Sequence, residues 1–244
     1  MKNIVLAVAT ALAMNVCAFA ANVATDNAST SNYPGGTWTT GSNGGTGFGA
    51  WTITSTPAGG FAGSYIGGTA LGDPTFGIYS GNNAAATLLA YRPFTGGGLT
   101  AGQRFIVDLA HTGTINGQIG LSLMSGSTAR WTLKFVGGDT DWQINDGGSD
   151  FGAGQAYAAT TPLTLNFRYN GGNSYSYTFG TGSGNGYTAT SDLSNIDGVQ
   201  FFSVNQGAGQ NFAFNNLSVP EPSSASLMAL GAAGLFALRR RRHA

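Results

Sequence analysis

The residues that could carry out chemistry in this sequence are few and scattered. His111 is one of only two histidines, and the other, His243, lies at the carboxyl end. A serine hydrolase would need a serine and a carboxylate beside His111, and the sequence contains no Gly-x-Ser-x-Gly motif. The sequence therefore predicts an exposed turn position for His111, before Thr112 and Gly113. A zinc site is disfavoured too, because zinc takes several His or Cys ligands.

Carboxylates are the second group with catalytic potential. Glycoside hydrolases place two carboxylates across the scissile bond, and one of the two stays protonated. Glu221 is the only glutamate of the chain, and the nine aspartates lie mostly in glycine-containing turns, where turn chemistry favours them. An aspartate-based glycan hydrolase is therefore a disfavoured alternative, and we predict that the protein is not an enzyme.

One loop concentrates oxygen ligands around a tryptophan. Calcium needs six to eight oxygens, which carboxylates in a turn can supply, although the spacing here departs from an EF-hand loop. The same loop could present its indole to a sugar, whereas a core tryptophan among turn-forming aspartates is the simpler alternative. We predict no cofactor other than this possible calcium. The candidate glycan or calcium loop consists of Asp139, Asp141, Trp142, Asn145 and Asp146.

The composition describes a weakly charged domain. Residues 21–219 contain five cations and nine aspartates, which gives a formal net charge of −4. Such a balance, with no run of cations, predicts no nucleic-acid partner. Cys17 is the only cysteine, so a chain that starts at Ala21 has no disulfide.

Residues 38–219 have the apolar/polar alternation of half-buried β-strands. Residues 105–109, 131–135, 163–169 and 175–179 each place apolar side chains at every second position. Glycine-rich turns separate these runs, and residues 170–173 predict a hairpin. Many short strands with such turns indicate an all-β, antiparallel β-sandwich.

The succession of strands also resembles the concanavalin-like jelly rolls of other sorted surface proteins. The resemblance rests on residues 119–123, 131–135, 137–138, 142–146, 196–202 and 214–219. It implies a jelly-roll architecture, but no single activity, because one fold hosts many functions.

The amino-terminal residues have the pattern of a secretory signal. Lys2 precedes an apolar run over residues 4–16, and Ala18 and Ala20 form a small-x-small cleavage site, so the mature chain is predicted to begin at Ala21. Residues 1–20 are thus a signal peptide with a signal helix, unless the segment stays as an uncleaved anchor. Residues 21–37 are predicted to be a flexible leader.

The carboxyl end has the pattern of an anchor. Residues 223–238 are largely apolar, and as a helix they would span roughly 24 Å, slightly less than a hydrocarbon core of about 30 Å. A transmembrane helix is predicted there. The arginines that follow should remain cytoplasmic, with the domain on the other side of the membrane. They are Arg239, Arg240, Arg241 and Arg242.

Residues 219–242 together resemble the PEP-CTERM sorting signal of Gram-negative bacteria. Three parts occur in order: the motif Val219, Pro220, Glu221 and Pro222, the short apolar segment, and the arginine cluster. The resemblance implies that residues 220–244 are recognised by exosortase, a membrane-embedded transpeptidase that is thought to cut near Pro-Glu-Pro. It also implies an association with exopolysaccharide and biofilm.

Two functional hypotheses follow. The first is a non-catalytic protein of the cell surface or extracellular matrix, held in the inner membrane before processing. The second is a carbohydrate-binding jelly-roll module, with exopolysaccharide as a partner. The two overlap if the matrix is itself polysaccharide.

Overall fold

The structure is a computed structural model that describes residues 22–56, 62–81, 86–113, 116–207 and 209–221. The described chain is almost entirely β, with one 3-10 turn at Pro34–Gly36. Its strands are β1 (Asn22–Asp26), β2 (Thr52–Thr56), β3 (Ala62–Thr69), β4 (Gly72–Ser80), β5 (Thr87–Pro93), β6 (Arg104–His111), β7 (Gln118–Ser125), β8 (Thr128–Val136), β9 (Asp141–Asn145), β10 (Phe151–Ala156), β11 (Leu163–Gly171), β12 (Ser174–Phe179), β13 (Gly182–Thr188), β14 (Gly198–Val204) and β15 (Asn211–Pro220).

These strands form two antiparallel sheets. One sheet has eight strands, in the order β13-β12-β11-β6-β15-β4-β3, and β1 pairs additionally with β15. The other has seven strands, in the order β10-β9-β8-β7-β14-β5-β2. The predicted all-β antiparallel sandwich is therefore confirmed. The predicted signal helix and transmembrane helix lie outside the described residues.

The alternation in the sequence determines which side chains fill the space between the sheets. In β8, Trp131, Leu133 and Phe135 are buried, whereas the residues between them are only partly buried. Aromatic rings make the central contact between the sheets, where Phe201 of β14 stacks on Phe214 of β15 with ring centroids 3.7 Å apart. The predicted hairpin at residues 170–173 is also confirmed, because β11 and β12 are paired neighbours joined there.

The amino-terminal segment differs from the expectation of a flexible leader at residues 21–37. Residues 22–26 form β1 and pair with the carboxyl-terminal part of β15. Ala24, Ala28 and Tyr33 are buried and belong to the core. The Ala/Asn/Thr/Ser-rich composition suggested a loose chain, but it says nothing about pairing with a strand almost two hundred residues away.

A buried ion pair fixes this segment to the sandwich. Arg92 of β5 is fully buried, and its Nη1 donates to Asp26 Oδ2. Tyr33 Oη also donates to Asp26 Oδ2, at 2.6 Å, and accepts a hydrogen bond from Trp51 Nε1 at 2.9 Å. The guanidinium further donates to the Gly49 carbonyl and lies over the Trp51 ring. Burial lowers the pKa of Arg92 to about 9.

Candidate functional site

The predicted glycan or calcium loop is largely a strand. Asp141, Trp142 and Asn145 belong to β9, where alternation directs Trp142 and Ile144 inward. Trp142 is only 1% exposed, and its ring packs edge-on against Phe179 at 5.1 Å. The alternative of a core tryptophan is therefore confirmed, and the hypothesis that Trp142 contacts a sugar is wrong, because its indole lies between the sheets.

The acidic side chains around Trp142 are hydrogen-bonded separately. Asp139 accepts a hydrogen bond from Gln143 at 2.8 Å, and Asp146 accepts one from Tyr175 at 2.9 Å. Asn145 donates to Asp150 Oδ1 at 2.8 Å. Within the described ranges, no group of three or more His, Cys, Asp or Glu side chains is placed to hold a metal ion.

His111 is buried, contrary to the prediction of an exposed turn. It ends β6 with 1% of its surface exposed, and its ring stacks on Tyr157 with centroids 4.5 Å apart. Burial lowers the pKa of His111 to about 4. Its Nε2 has no hydrogen-bond partner among the described residues. His111 is therefore a neutral core side chain.

The structure shows a different candidate site on the outer face of the eight-stranded sheet. A shallow groove of about 280 Å³ crosses four neighbouring strands, β6, β11, β12 and β13. Most of its lining residues carry polar side chains. The lining residues are Arg104, Asn166, Arg168, Ser176, Tyr177, Thr178, Ser183, Gly184 and Asn185.

The strand register arranges these side chains in two rows. In the first row Arg168 lies directly opposite Arg104 on one side and Ser176 on the other. In the second row Asn166 lies opposite Thr178, and Thr178 lies opposite Ser183. Residues directly opposite in antiparallel strands have Cβ atoms about 5 Å apart. The rows therefore form a continuous polar surface.

An irregularity between β12 and β13 sets the far wall of the groove. The register shifts between Tyr175 and Tyr177, opposite Gly186, which has a φ of +70°. The Ser176 hydroxyl donates to Asn185 Oδ1 at 2.9 Å and accepts from Asn170 Nδ2 at 2.9 Å. These bonds orient the Asn185 amide so that its NH₂ group remains available to a ligand.

The arginines of the groove differ from Arg92 and Lys134, the two cations that form ion pairs within the described residues. Arg92 is paired with Asp26, and Lys134 with Asp150, with Nζ and Oδ2 2.6 Å apart. Arg104 and Arg168 are exposed and have no ion-pair partner in the part of the chain that the structure describes. Two uncompensated cations thus lie side by side.

Sequence reasoning missed this groove. The alternation of β11 predicts that Asn166 and Arg168 point away from its apolar face. Nothing in the sequence, however, gives the pairing of β11 with β6, which brings Arg104 opposite Arg168. The sequence could show only that each arginine occupies an outward-facing position in the alternation of its own strand.

The sorting motif begins inside the fold. Val219 and Pro220 are the last residues of β15, and they pair with Ala24 and Asn22 of β1. Glu221 follows the strand and is exposed. Pro222 and Arg239–Arg242 lie outside the described residues, as do Ala18, Ala20 and Ala21 of the signal-cleavage site.

A family comparison matches residues 218–242 to the PEP-CTERM protein-sorting motif. The chain carries a PEP-CTERM sorting signal. The motif implies export, membrane anchoring before processing, and processing by exosortase. Over the residues that the structure describes, no helix is both long and apolar enough to cross a membrane.

The sandwich of this PEP-CTERM chain is similar to several solved structures. One is a sialidase, with a TM-score of 0.54 and 10% identity over 69% of this chain. The match spans only 16% of the sialidase's length. Another is the cellulose-induced protein Cip1, with a TM-score of 0.49 and 11% identity over 69% of this chain and 90% of that one. A galectin of Caenorhabditis elegans matches with a TM-score of 0.40 and 14% identity over 57% of this chain and 93% of its own.

At these identities the likeness shows the β-sandwich fold alone. No curated protein matches the sequence.

Proposed function

We propose that the protein is a non-catalytic glycan-binding protein of the cell surface or extracellular matrix, with a concanavalin-like jelly-roll domain. Its partner would be the exopolysaccharide of the matrix or biofilm, and exosortase would process its carboxyl end. The PEP-CTERM signal supports the location. The polar groove on the eight-stranded sheet supports the binding role.

One observation carries the binding proposal: the polar side chains of the second row form no hydrogen bonds within the described chain. Ser176 is bonded to Asn170 and Asn185, but Asn166, Thr178 and Ser183 make no side-chain hydrogen bond within the described chain. Amides and hydroxyls in fixed positions on a rigid sheet suit the hydroxyl groups of a sugar, because pre-positioned groups bind at a lower entropic cost.

The proposal of no catalysis rests on the surroundings of the acidic groups. An acid catalyst at neutral pH needs a raised pKa, which burial away from cations would provide. The pKa of Asp150 is instead lowered, chiefly by its hydrogen bond from Lys134. Asp108, on the same outer face as the groove, accepts hydrogen bonds from Thr164 at 2.6 Å and Asn216 at 2.8 Å.

Retention of the exported protein on its own immobilised matrix polysaccharide tests the binding site. We expect Thr178→Trp, which fills the groove, and Asn166→Ala to weaken retention. Gln200→Ala, on the outer face of the other sheet, is the matched control and should leave retention unchanged. Equal retention of all four proteins would exclude this groove as the site.

The same samples test the absence of catalysis. We expect no release of reducing ends from the polysaccharide. Steady release that a single Asp→Asn substitution abolishes would contradict a non-catalytic role.

A further inference from the structure

The strongest feature that the proposed function leaves unused is the cross-strand arginine pair. Like charges directly opposite each other destabilise a sheet. The domain has only five cations and an overall negative charge, yet Arg104 and Arg168 are register partners. The carboxylate that shares their face on β6, Asp108, is four residues from Arg104, which is about 13 Å along the strand. The repulsion is therefore not relieved within the described protein.

We propose that Arg104 and Arg168 bind the carboxylates of an acidic polysaccharide. This inference rests on the proposed function and names the substrate class of the same groove. An arginine side chain presents a planar fork of N–H donors that pairs with a carboxylate through two parallel hydrogen bonds. Two such forks, side by side, match a polymer that carries repeated acidic groups.

The remainder of the groove favours a sugar acid over a simple anion. The arginines stand at one end of the groove, and next to them Asn166, Thr178 and Ser183 form the second row. Asn185 offers an NH₂ group from the far wall. A carboxylate at the arginines would thus place the hydroxyl groups of the same sugar ring against amides and hydroxyls.

The arginine pair also removes the need for a bridging metal. A domain of net negative charge would otherwise need a bridging cation to hold an acidic glycan. The groove instead supplies positive charge directly, at a point separated from the aspartates of the β9 region. Binding should therefore persist in the presence of a chelator and weaken with added salt, because salt screens exposed charges.

Affinity electrophoresis of the exported protein tests the proposal, with polygalacturonate as the probe and its carboxyl-reduced form as the neutral counterpart. We expect wild-type protein to bind polygalacturonate with or without EDTA, and the neutral polymer more weakly. Arg104→Gln and Arg168→Gln should each weaken polygalacturonate binding about tenfold. Arg130→Gln, the same charge change on the seven-stranded sheet, is the control and should bind like wild type.

The possible outcomes separate the inference from the proposed function. Retention on matrix polysaccharide that is unaffected by either arginine substitution leaves the glycan-binding role in place and overturns the arginine site. Loss of polygalacturonate binding on addition of EDTA overturns the arginine site as well. No retention on any polysaccharide would refute both proposals.

Equal affinity for duplex DNA would show general polyanion binding and would overturn the assignment to an acidic glycan. Unchanged thermal unfolding of both variants establishes that a loss of binding is not a loss of fold.

Discussion

Ala24 of β1 lies directly opposite Val219 of β15, and both side chains are buried. The two ends of the described chain are therefore paired with each other in the eight-stranded sheet. The sorting motif overlaps the last two pairs of this ladder, since Val219 and Pro220 are the register partners of Ala24 and Asn22. A protease or transpeptidase must bind an extended, unpaired segment, and residues up to Pro220 are already paired.

The first prediction concerns processing. We expect exosortase to cut after Pro220, within the Pro-Glu-Pro motif, so that the surface form retains β15 and lacks Arg239–Arg242. Intact-mass measurement of protein released from the cell surface checks both the retention of β15 and the loss of the arginine cluster. A mature protein that still carries the arginine cluster, or one that has lost β15, would contradict it. Protein from cells without exosortase is the control and should keep the cluster.

The second prediction concerns the buried ion pair. Asp26→Ala leaves the guanidinium of Arg92 buried without its carboxylate, and breaking such a pair by removing one partner typically costs about 3–5 kcal/mol. We expect a loss of that order in the free energy of unfolding, measured by denaturant titration of the exported protein. Asp150→Ala is the matched control, because it breaks the partly exposed pair with Lys134 and should cost less than about 1 kcal/mol. Equal losses in the two variants would refute the stabilising role of the Asp26–Arg92 pair.

This ion pair also shows what the sequence could and could not predict. Arg92 lies in an alternating strand, so the sequence can show which face of the strand its side chain occupies. Its partner Asp26, however, belongs to a segment whose composition suggested a flexible leader. Alternation is a local property, so it predicted the strands and the inward positions of Trp131 and Leu165 correctly. Pairing between distant strands is not local, and for that reason β1 and the Arg104–Arg168 pair were missed.

Trp142 illustrates the local part of this prediction. The aspartate cluster left a sugar-binding loop open beside a core tryptophan, and the alternation of β9 confirms the core tryptophan. The third prediction is that Trp142→Ala destabilises the protein by about 3–5 kcal/mol, the range for truncating a buried aromatic side chain. Thermal and denaturant unfolding measure it. Tyr187→Ala removes a partly exposed aromatic side chain and should cost clearly less. A Trp142→Ala protein of wild-type stability would show that the indole is not a core side chain.

The fourth prediction concerns pH. Burial holds the pKa of His111 at about 4 in the folded protein, below its ordinary value of 6.5. Between these two values the unfolded chain binds the proton and the folded protein does not, so stability rises with pH through this window. The contribution of His111 is complete above pH 6.5 and is lost as the pH falls toward 4. Through His111, the free energy of unfolding changes by at most about 1.4 kcal/mol per pH unit, the value for one proton.

His111→Phe isolates this contribution, because phenylalanine has a similar ring and does not titrate. Aspartates also titrate in the acidic range, so the informative quantity is the difference in unfolding free energy between wild type and variant at each pH. We expect the wild type to lose stability relative to His111→Phe as the pH falls from 7 to 4, and the two curves to run parallel above pH 7. Parallel curves across the whole range would mean that His111 is protonated as readily in the folded protein as in the unfolded chain. That result would contradict the burial of His111 at the end of β6, against the ring of Tyr157.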